Sequence, residues 1–312
     1  MSILNQHIFL FTHAFNIINA IVQLMDKVLL VDGNNILHRS YHALAGSGLR
    51  GPQGEPIWAV HGLLNTLARN IKELQIDKFI IAFDSPEITQ RKMLYPFYKG
   101  TRKPTPDDLK EQLALAYQIA VTCKFGAVTA PGWEADDIIA SSINSSDFFY
   151  ILSSDRDAHQ LLADNVTIVK PEGGRLDPES FYTKYGFSPE LYRHFAALVG
   201  EASDNINGVK GIGAVGATKI ITLLNSKDKL DNIGEHLDLL KEHLSAKQLQ
   251  LVSDGISIYQ RNLLINKLNT DLSINLSDIT QLDSMNYRAT LTSYGLNKVL
   301  KTLDEVVDNT LF

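Results

Sequence analysis

KVLLVD (27–32), KFIIAFD (78–84) and FFYILSSD (148–155) are runs of the same make: strand length, rich in β-branched or aromatic residues, and ending in an acid. Residues with helical spacing separate them, over Ala59–Leu74 and again over Asp107–Thr122. Buried strands alternating with helices predict an α/β fold with a twisted, mostly parallel sheet. Thr105 is read as the cap of the second helix, with Pro106 in its first turn and Gly126 closing it. A further strand is expected at Val166–Lys170, before the turn Glu172-Gly173-Gly174. From Pro189 onward the pattern is helical with short glycine-containing connections, which places a boundary near residue 185.

A chain of 312 residues with 45% hydrophobic content can bury a large core, as one big domain or two smaller ones. Its single cysteine, Cys123, excludes an internal disulfide framework and implies an intracellular, cytoplasmic setting; the surrounding stretch marks it as a small core residue. Residues 1–24 carry no charge. They lack the basic leader of a signal peptide, and their longest apolar run, Ile8–Phe11, is too short for a membrane span. Met25 stands just before the first strand, so 1–24 reads as a dispensable extension or a misplaced start.

In open α/β sheets, ligand sites form beyond the carboxyl ends of the strands. Asp32, Asp84 and Asp155 all fall there. One such acid is ordinarily a turn or helix cap, but three together point to a site. WEADDII (133–139) opens a helix with more acids; Glu134 and Asp137 share a face by spacing, while Asp136 is expected to point elsewhere. The plain reading is a helix start decorated with acids that favour its dipole. SDRD (154–157) adds Asp157, and EASD (201–204) adds Glu201 and Asp204. Nine carboxylates therefore converge: Asp32, Asp84, Glu134, Asp136, Asp137, Asp155, Asp157, Glu201 and Asp204. Two like charges about 4 Å apart repel by roughly 4 kcal/mol at an effective dielectric near 20, so such a cluster needs cations. All-oxygen ligation selects hard ions, Mg²⁺ or Mn²⁺ over zinc. Removing nine negative charges from the net charge of −6 leaves +3 on the rest of the chain. The acidic total therefore does not exclude a phosphate substrate.

Residues 85–104 carry Arg91, Lys92, Lys99, Arg102 and Lys103 against one acid, Glu87, with Tyr95, Phe97 and Tyr98 interleaved. Cations that follow a backbone and rings on which bases stack suit a single strand; the plain alternative is a solvated loop. Directly after Asp84, the segment is placed to arch over the crevice. GIGAVG (211–216) formally matches a dinucleotide-binding glycine pattern, but no strand precedes it. Gly208-Val209-Lys210-Gly211-Ile212-Gly213 is better read as a tight glycine turn between helices, spanning about 203–224. Bare N–H groups there meet a duplex phosphate, with Lys210 and Lys219 adding charge.

From about Asp26 to about residue 300 the chain resembles the flap endonuclease and 5′–3′ exonuclease family, which includes the 5′ nuclease domain of bacterial DNA polymerase I and its free-standing bacterial and phage relatives. The matching motifs are VDGNN (31–35), AFDS (82–85), YKGTRKPTPDDL (98–109), PGWEADD (131–137), SSDRDAHQLL (153–162) and GEASDNINGVKGIG (200–213). The resemblance implies a PIN-like nuclease core over 25–185 with an arch at 85–104, and a helical DNA-binding part over 186–312. It also implies a helix-hairpin-helix element that often holds K⁺. The family's metal ligands map onto the nine carboxylates, and its arch lysine and arginine onto Lys99 and Arg91, beside Tyr98 and Arg102. Two departures stand out. Glu201 replaces the usual Asp, and Pro56-Ile57-Trp58-Ala59 replaces a small Thr-Gly pair, which puts a phosphate contact there in doubt and leaves Trp58 to stack or to pack.

The expected chemistry is two-metal phosphodiester hydrolysis leaving a 5′-phosphate and a 3′-hydroxyl. The inner ion is assigned to Asp32, Asp84, Glu134 and Asp136, and the outer to Asp155, Asp157 and Asp204. Asp137 and Glu201 hold metal-bound waters, and Lys99 and Arg91 neutralise the scissile phosphate. The expected partners are DNA with 5′ flaps, 5′ ends or branch junctions, RNA-primed strands included, and a separate polymerase, with the protein a monomer away from membranes. Rival readings are a catalytically silent DNA-structure-binding relative, which should have lost several ligands, and a PIN-like ribonuclease, which ordinarily lacks the arch and the glycine turn.

Overall fold

In the computed structural model, which describes residues 25–274 and 280–310, strand β1 (Lys27–Asp32) sets the layering. Successive side chains of a strand point to opposite faces, so Val28 and Leu30 enter one core and Leu29 and Val31 the other. All four are fully buried, as expected of a strand covered on both sides. Its neighbours β2 (Lys78–Ala82) and β4 (Phe148–Leu152) run parallel to it. The order is completed by β3 (Ala127–Val128) beyond β2, then β5 (Val166–Val169) and an antiparallel β6 (Arg175–Leu176) beyond β4. Thr280–Gln281 pairs antiparallel with the start of β2. The sheet is therefore mixed but mostly parallel, as the sequence predicts. The strands stop earlier than expected: β2 ends at Ala82, β4 at Leu152 and β5 at Val169. Asp84 and Asp155 thus lie in the loops just beyond, where side chains are free to turn into a crevice.

One face is covered by α1 (Gly33–Leu44), α2 (Trp58–Leu74) and α4 (Asp107–Thr122), together with two C-terminal helices at Arg288–Ser293 and Asn297–Thr310. Between them in sequence comes a short α3 (Gln90–Leu94). Gly33 follows Asp32 because a Cβ there would come within 2.9 Å of the Ala82 carbonyl oxygen, so only glycine lets α1 start against β2. The expected Thr105 cap is not made: Pro106 occupies the cap position of α4 with no side-chain cap bond. Cys123 is fully buried, as read.

The opposite face is covered by α5 (Ala135–Ser142), α6 (Pro178–Tyr185), α7 (Tyr192–Val199), α8 (Ala214–Leu224) and the short helices that lead to α9 (Ala246–Asp254) and α10 (Ile256–Ile265). Side chains from β1, β4 and β5 share one apolar cluster with Leu198, Ile220 and Leu263. The helical half thereby shares one continuous core with the sheet. Among the described residues, no helix is long and apolar enough to cross a membrane. The N-terminal stretch 1–24 lies outside the described residues.

Candidate active site

The carboxyl ends of β1, β2 and β4 open into a cleft of about 220 Å³ lined by Asp32, Asp84, Glu134, Asp136 and Asp155, with Lys99 and Arg102 on its wall. Local hydrogen bonds explain how each acid is aimed. Asp32 caps α1 by accepting from the Asn35 N–H at 2.9 Å, and its other oxygen accepts from the Ser153 hydroxyl at 2.9 Å. Asp84 accepts from the Ala135 N–H at 2.9 Å, at the start of α5, and from the Asn34 amide at 3.1 Å. Asn34 returns an acceptor to the Asp84 N–H, while Asn35 accepts from both the backbone and hydroxyl of Ser154. Asp155 accepts from the N–H of Asp157. The capping role is therefore real for Asp32, and it coexists with convergence.

Their electrostatics divide the acids into two groups. Burial, reinforced by the charges of Asp84 and Asp155, pushes Asp32 up to about 7. Burial and the Asp155 charge push Asp157 to about 7 as well. Asp136 is raised by burial and by Asp155, Asp32 and Asp157, and Asp84 is raised by burial. These are wholly or partly buried carboxylates beside one another, the situation that calls for cations. Glu134 behaves oppositely: burial acts to raise it, but Lys99 and Arg91 outweigh that and hold it below the usual carboxylate range.

Cationic side chains account for the second group. Glu134 accepts from Lys99 Nζ at 2.8 Å, Arg91 Nη1 at 2.9 Å and the Tyr98 hydroxyl at 3.0 Å. Asp204 is paired with Arg102, and Glu201 with Arg156 at 3.2 Å. Asp137 is fully buried and faces Arg91. The expectation from helical spacing holds: Glu134 and Asp137 both accept from Arg91 Nη1 and cap the start of α5 together, while Asp136 turns to the cleft. Among the described residues, no three carboxylate or imidazole side chains stand as a ready-made coordination shell.

The 85–104 segment forms one wall of the cleft rather than a free-standing span. Tyr98 is buried, and Lys99 N–H and Asn205 Nδ2 tie the segment to the helical half through the Asp204 and Phe97 carbonyls. Lys99 is held at φ 54°, an uncommon conformation for a side-chain-bearing residue, with its ammonium 4.9 Å from the Tyr98 ring centroid. Arg91, expected at the phosphate, lies outside the cleft lining and is buried.

Trp58 packs: its ring lies against Tyr41 and its Nε1 donates to the Tyr41 carbonyl at 3.2 Å. The Ala59 N–H in the first turn of α2 donates to the fully buried Gln112 at 2.7 Å, so a protein side chain already occupies that donor. Asn34, Asn35, His38 and Ser153 escaped the reading as site residues, although three of them stand inside the quoted motifs. The signal was the amide pair after VDG, whose polar groups need partners at a strand end.

In the glycine turn, Val209 and Ile212 are core anchors with buried side chains, which removes them from any side-chain contact with DNA. Lys210, Gly211 and Gly213 are exposed, with Gly208 partly so. Gly211 has φ 78°, and a Cβ on Gly208 would come within 2.2 Å of the Val199 carbonyl oxygen. Lys219 is exposed and donates to the His243 carbonyl.

Two family models match the chain in tandem: 5′–3′ exonuclease, N-terminal resolvase-like domain, over residues 27–186, and 5′–3′ exonuclease, C-terminal SAM fold, over residues 187–288. A thermostable DNA polymerase I of Thermus thermophilus is 33% identical over 295 residues, covering 89% of this chain and 34% of the relative. The DNA polymerase I of Borreliella burgdorferi is 34% identical over 266 residues, 81% of this chain and 29% of the relative. The chain thus spans about a third of the length of these curated relatives. Among solved structures, the T5 D15 protein co-crystallised with metal ions superposes with a TM-score of 0.62 at 22% identity, over 90% of this chain and 98% of that one. Human GEN1 in complex with Holliday junction DNA gives 0.55 at 16% identity, over 92% and 74%. Those likenesses establish a shared fold, and with both halves matched by its models the chain belongs to the 5′–3′ exonuclease family.

Proposed function

We propose that the protein is a metal-dependent, structure-specific 5′ nuclease that hydrolyses DNA phosphodiesters at 5′ ends, flaps or branch junctions, in primer removal, replication or repair. The observation that carries this reading is the crowding of Asp32, which is buried, with Asp84, Asp136 and Asp157, which are half-buried, at the strand ends beside Asp155 and the cationic wall of Lys99 and Arg102. These all-oxygen donors fit two hard divalent ions such as Mg²⁺ or Mn²⁺, with Glu134 at the inner edge and Glu201 and Asp204 at the outer. When bound, such ions supply Lewis acidity that makes water a better nucleophile and counters charge on the reacting phosphodiester.

The chain's own residues do the rest. Lys99, partly exposed at the cleft, offers its ammonium to the phosphate, and Arg102 offers a second positive group. Tyr98 and the αL backbone of Lys99 fix where that charge sits. Asn34, Asn35 and Ser153 hold the aspartates in register. The exposed Lys210–Gly211 turn and Lys219 meet the duplex, with K⁺ at the turn. Working units of 25–185 and 186–312 follow, with no membrane role. The T5 D15 flap endonuclease solved with DNA and metal ions and the Rad2 catalytic core solved with DNA substrate support a DNA substrate for this fold.

The decisive experiment uses a labelled 5′-flap DNA. In Mg²⁺ the protein cuts near the junction, EDTA abolishes cutting, and Asp155→Ala with Asp157→Ala binds the flap but does not cut it. Retained cutting by that variant overturns the metal assignment. Preferred cutting of single-stranded RNA supports a ribonuclease instead, and binding without cutting by the wild type supports a silent relative.

A further inference from the structure

Arg91 carries five N–H donors, and all five are taken. Its Nη1 donates to Glu134 Oε2 at 2.9 Å and to Asp137 Oδ2 at 2.6 Å. Its Nη2 donates to Asp137 Oδ1 at 2.8 Å and to the Lys267 carbonyl at 3.3 Å. Its Nε donates to the Ile265 carbonyl at 3.1 Å. Asp137 is as fully subscribed. Besides the two guanidinium bonds, its Oδ1 accepts from the Asn269 N–H at 2.9 Å and its Oδ2 from the Glu134 N–H at 3.2 Å. A carboxylate offers about four lone-pair sites, so Asp137 has none left for an ion or a water. Asp137 is fully buried and Arg91 nearly so.

The pair joins three parts of the molecule that are far apart in sequence. Arg91 comes from α3 at the base of the basic segment, Asp137 and Glu134 from the start of α5, and the carbonyls from the 265–267 stretch that leaves α10. Beyond it, the Ser141 hydroxyl donates to the Asn269 carbonyl at 2.9 Å and accepts from the Leu272 N–H at 3.2 Å. The end of the helical half is thus strapped along α5, and the strap meets the cleft through Arg91.

We propose that Arg91 and Asp137 are positioning residues: a closed bidentate clamp that fixes the Glu134 carboxylate and transmits the seating of the 265–272 strap to the cleft. A guanidinium with no free donor does not bind the scissile phosphate, and a carboxylate with no free lone pair does not hold a metal-bound water. Both roles expected from the sequence are replaced by one. The ammonium of lysine cannot reproduce the fork, because it lacks two parallel donors.

The proposal rests on the nuclease reading, and wild-type protein that fails to cut a 5′-flap DNA in Mg²⁺ sinks that reading rather than the clamp. With cutting established, three measurements are made on Arg91→Lys, Asp137→Asn, the double variant and Ser141→Ala. They are single-turnover cleavage in Mg²⁺, flap-DNA affinity in Ca²⁺, and Mn²⁺ binding without DNA, each at a temperature where circular dichroism shows the variant folded. The expected result is a single-turnover rate about 30-fold or more below wild type in each clamp variant, with the double variant no slower than the worse single one. Ser141→Ala, which loosens the strap and leaves the ion pair whole, slows cleavage by about 3–10-fold. DNA affinity and the number of Mn²⁺ ions stay at wild-type values. A weakened DNA affinity with an unchanged rate in Arg91→Lys makes it a phosphate ligand and overturns the proposal. So does the loss of one Mn²⁺ in Asp137→Asn, additive rate losses in the double variant, or unchanged cleavage in Ser141→Ala.

Discussion

Lys99 reaches Glu134 from a left-handed backbone: at φ 54° its N–H is held by the Asp204 carbonyl and its Nζ lies 2.8 Å from Glu134 Oε1. The strained residue stands between the sheet and the helical half, and its charge is aimed by that strain rather than by a regular element.

Replacing Lys99 therefore separates charge from conformation. Lys99→Gly relieves the backbone and removes the ammonium, and Lys99→Ala removes the ammonium alone. Both should lower single-turnover cleavage by about 10²–10³-fold with flap affinity nearly unchanged, the scale of losing one preorganised charge-stabilising group. Near-wild-type rates in either would show that Lys99 only packs against Tyr98.

Divalent ions should stabilise the folded protein in the absence of DNA, because Asp136 is crowded by the charges of Asp155, Asp32 and Asp157. At Mn²⁺ about a hundredfold above its Kd, linkage gives roughly 2.7 kcal/mol of added stability per site. Thermal melts with and without EDTA measure it, and Asp155→Ala with Asp157→Ala should lose most of the gain. An equal gain in that variant would place the ions elsewhere.

Gly208→Ala puts a methyl within 2.2 Å of the Val199 carbonyl oxygen, against backbone that cannot swing aside. Urea unfolding should show a loss of about 3 kcal/mol or more, in the range reserved for backbone clashes. Duplex affinity should fall with it, since α7 and the turn are forced apart. Gly213→Ala, which meets nothing within 4 Å, is the matched control and should leave stability close to wild type.

His194 is buried, with Nδ1 2.7 Å from the Tyr259 hydroxyl. Burial, aided by Arg193, lowers its imidazole to about 4 from 6.5. The unfolded chain then binds a proton that the native one refuses, so this contribution is complete above pH 6.5 and is lost as pH falls toward 4. Its upper limit is about 3 kcal/mol. His194→Gln should flatten the pH dependence over that window. Because the raised aspartates act in the opposite sense there, the quantity to plot is the difference between wild type and variant.

The strand-end acids were legible because a strand that is apolar on both faces has only its ends for polar groups, and a motif of three such ends leaves few alternatives. α2 and α4 were legible for the same reason, their apolar spacing being long and regular. The partners were not. Whether an arginine reaches a phosphate or a carboxylate depends on which carbonyls surround it, and Arg91 meets Ile265 and Lys267, 174 and 176 residues away. Helical spacing grouped Glu134 with Asp137, which do share Arg91, but it is silent on Glu134 also lining the cleft, where an extended backbone at φ −95° and ψ 163° as the cap of α5 aims its side chain. The Thr105 cap failed because Pro106 itself took the cap position. Val209 and Ile212 lie inside a motif marked by its glycines, yet an apolar residue in a glycine turn has to be buried somewhere.

The core that the helical half shares with the sheet has an evolutionary corollary. Ile168 and Phe149 of the sheet sit in the same apolar cluster as Ile220 and Leu263 of the helices. A gene split near residue 186 would hand each product an open greasy wall, so neither half is a portable cassette that recombination could move intact to a new host protein. Shuffling of this fold between larger proteins has to carry both halves together.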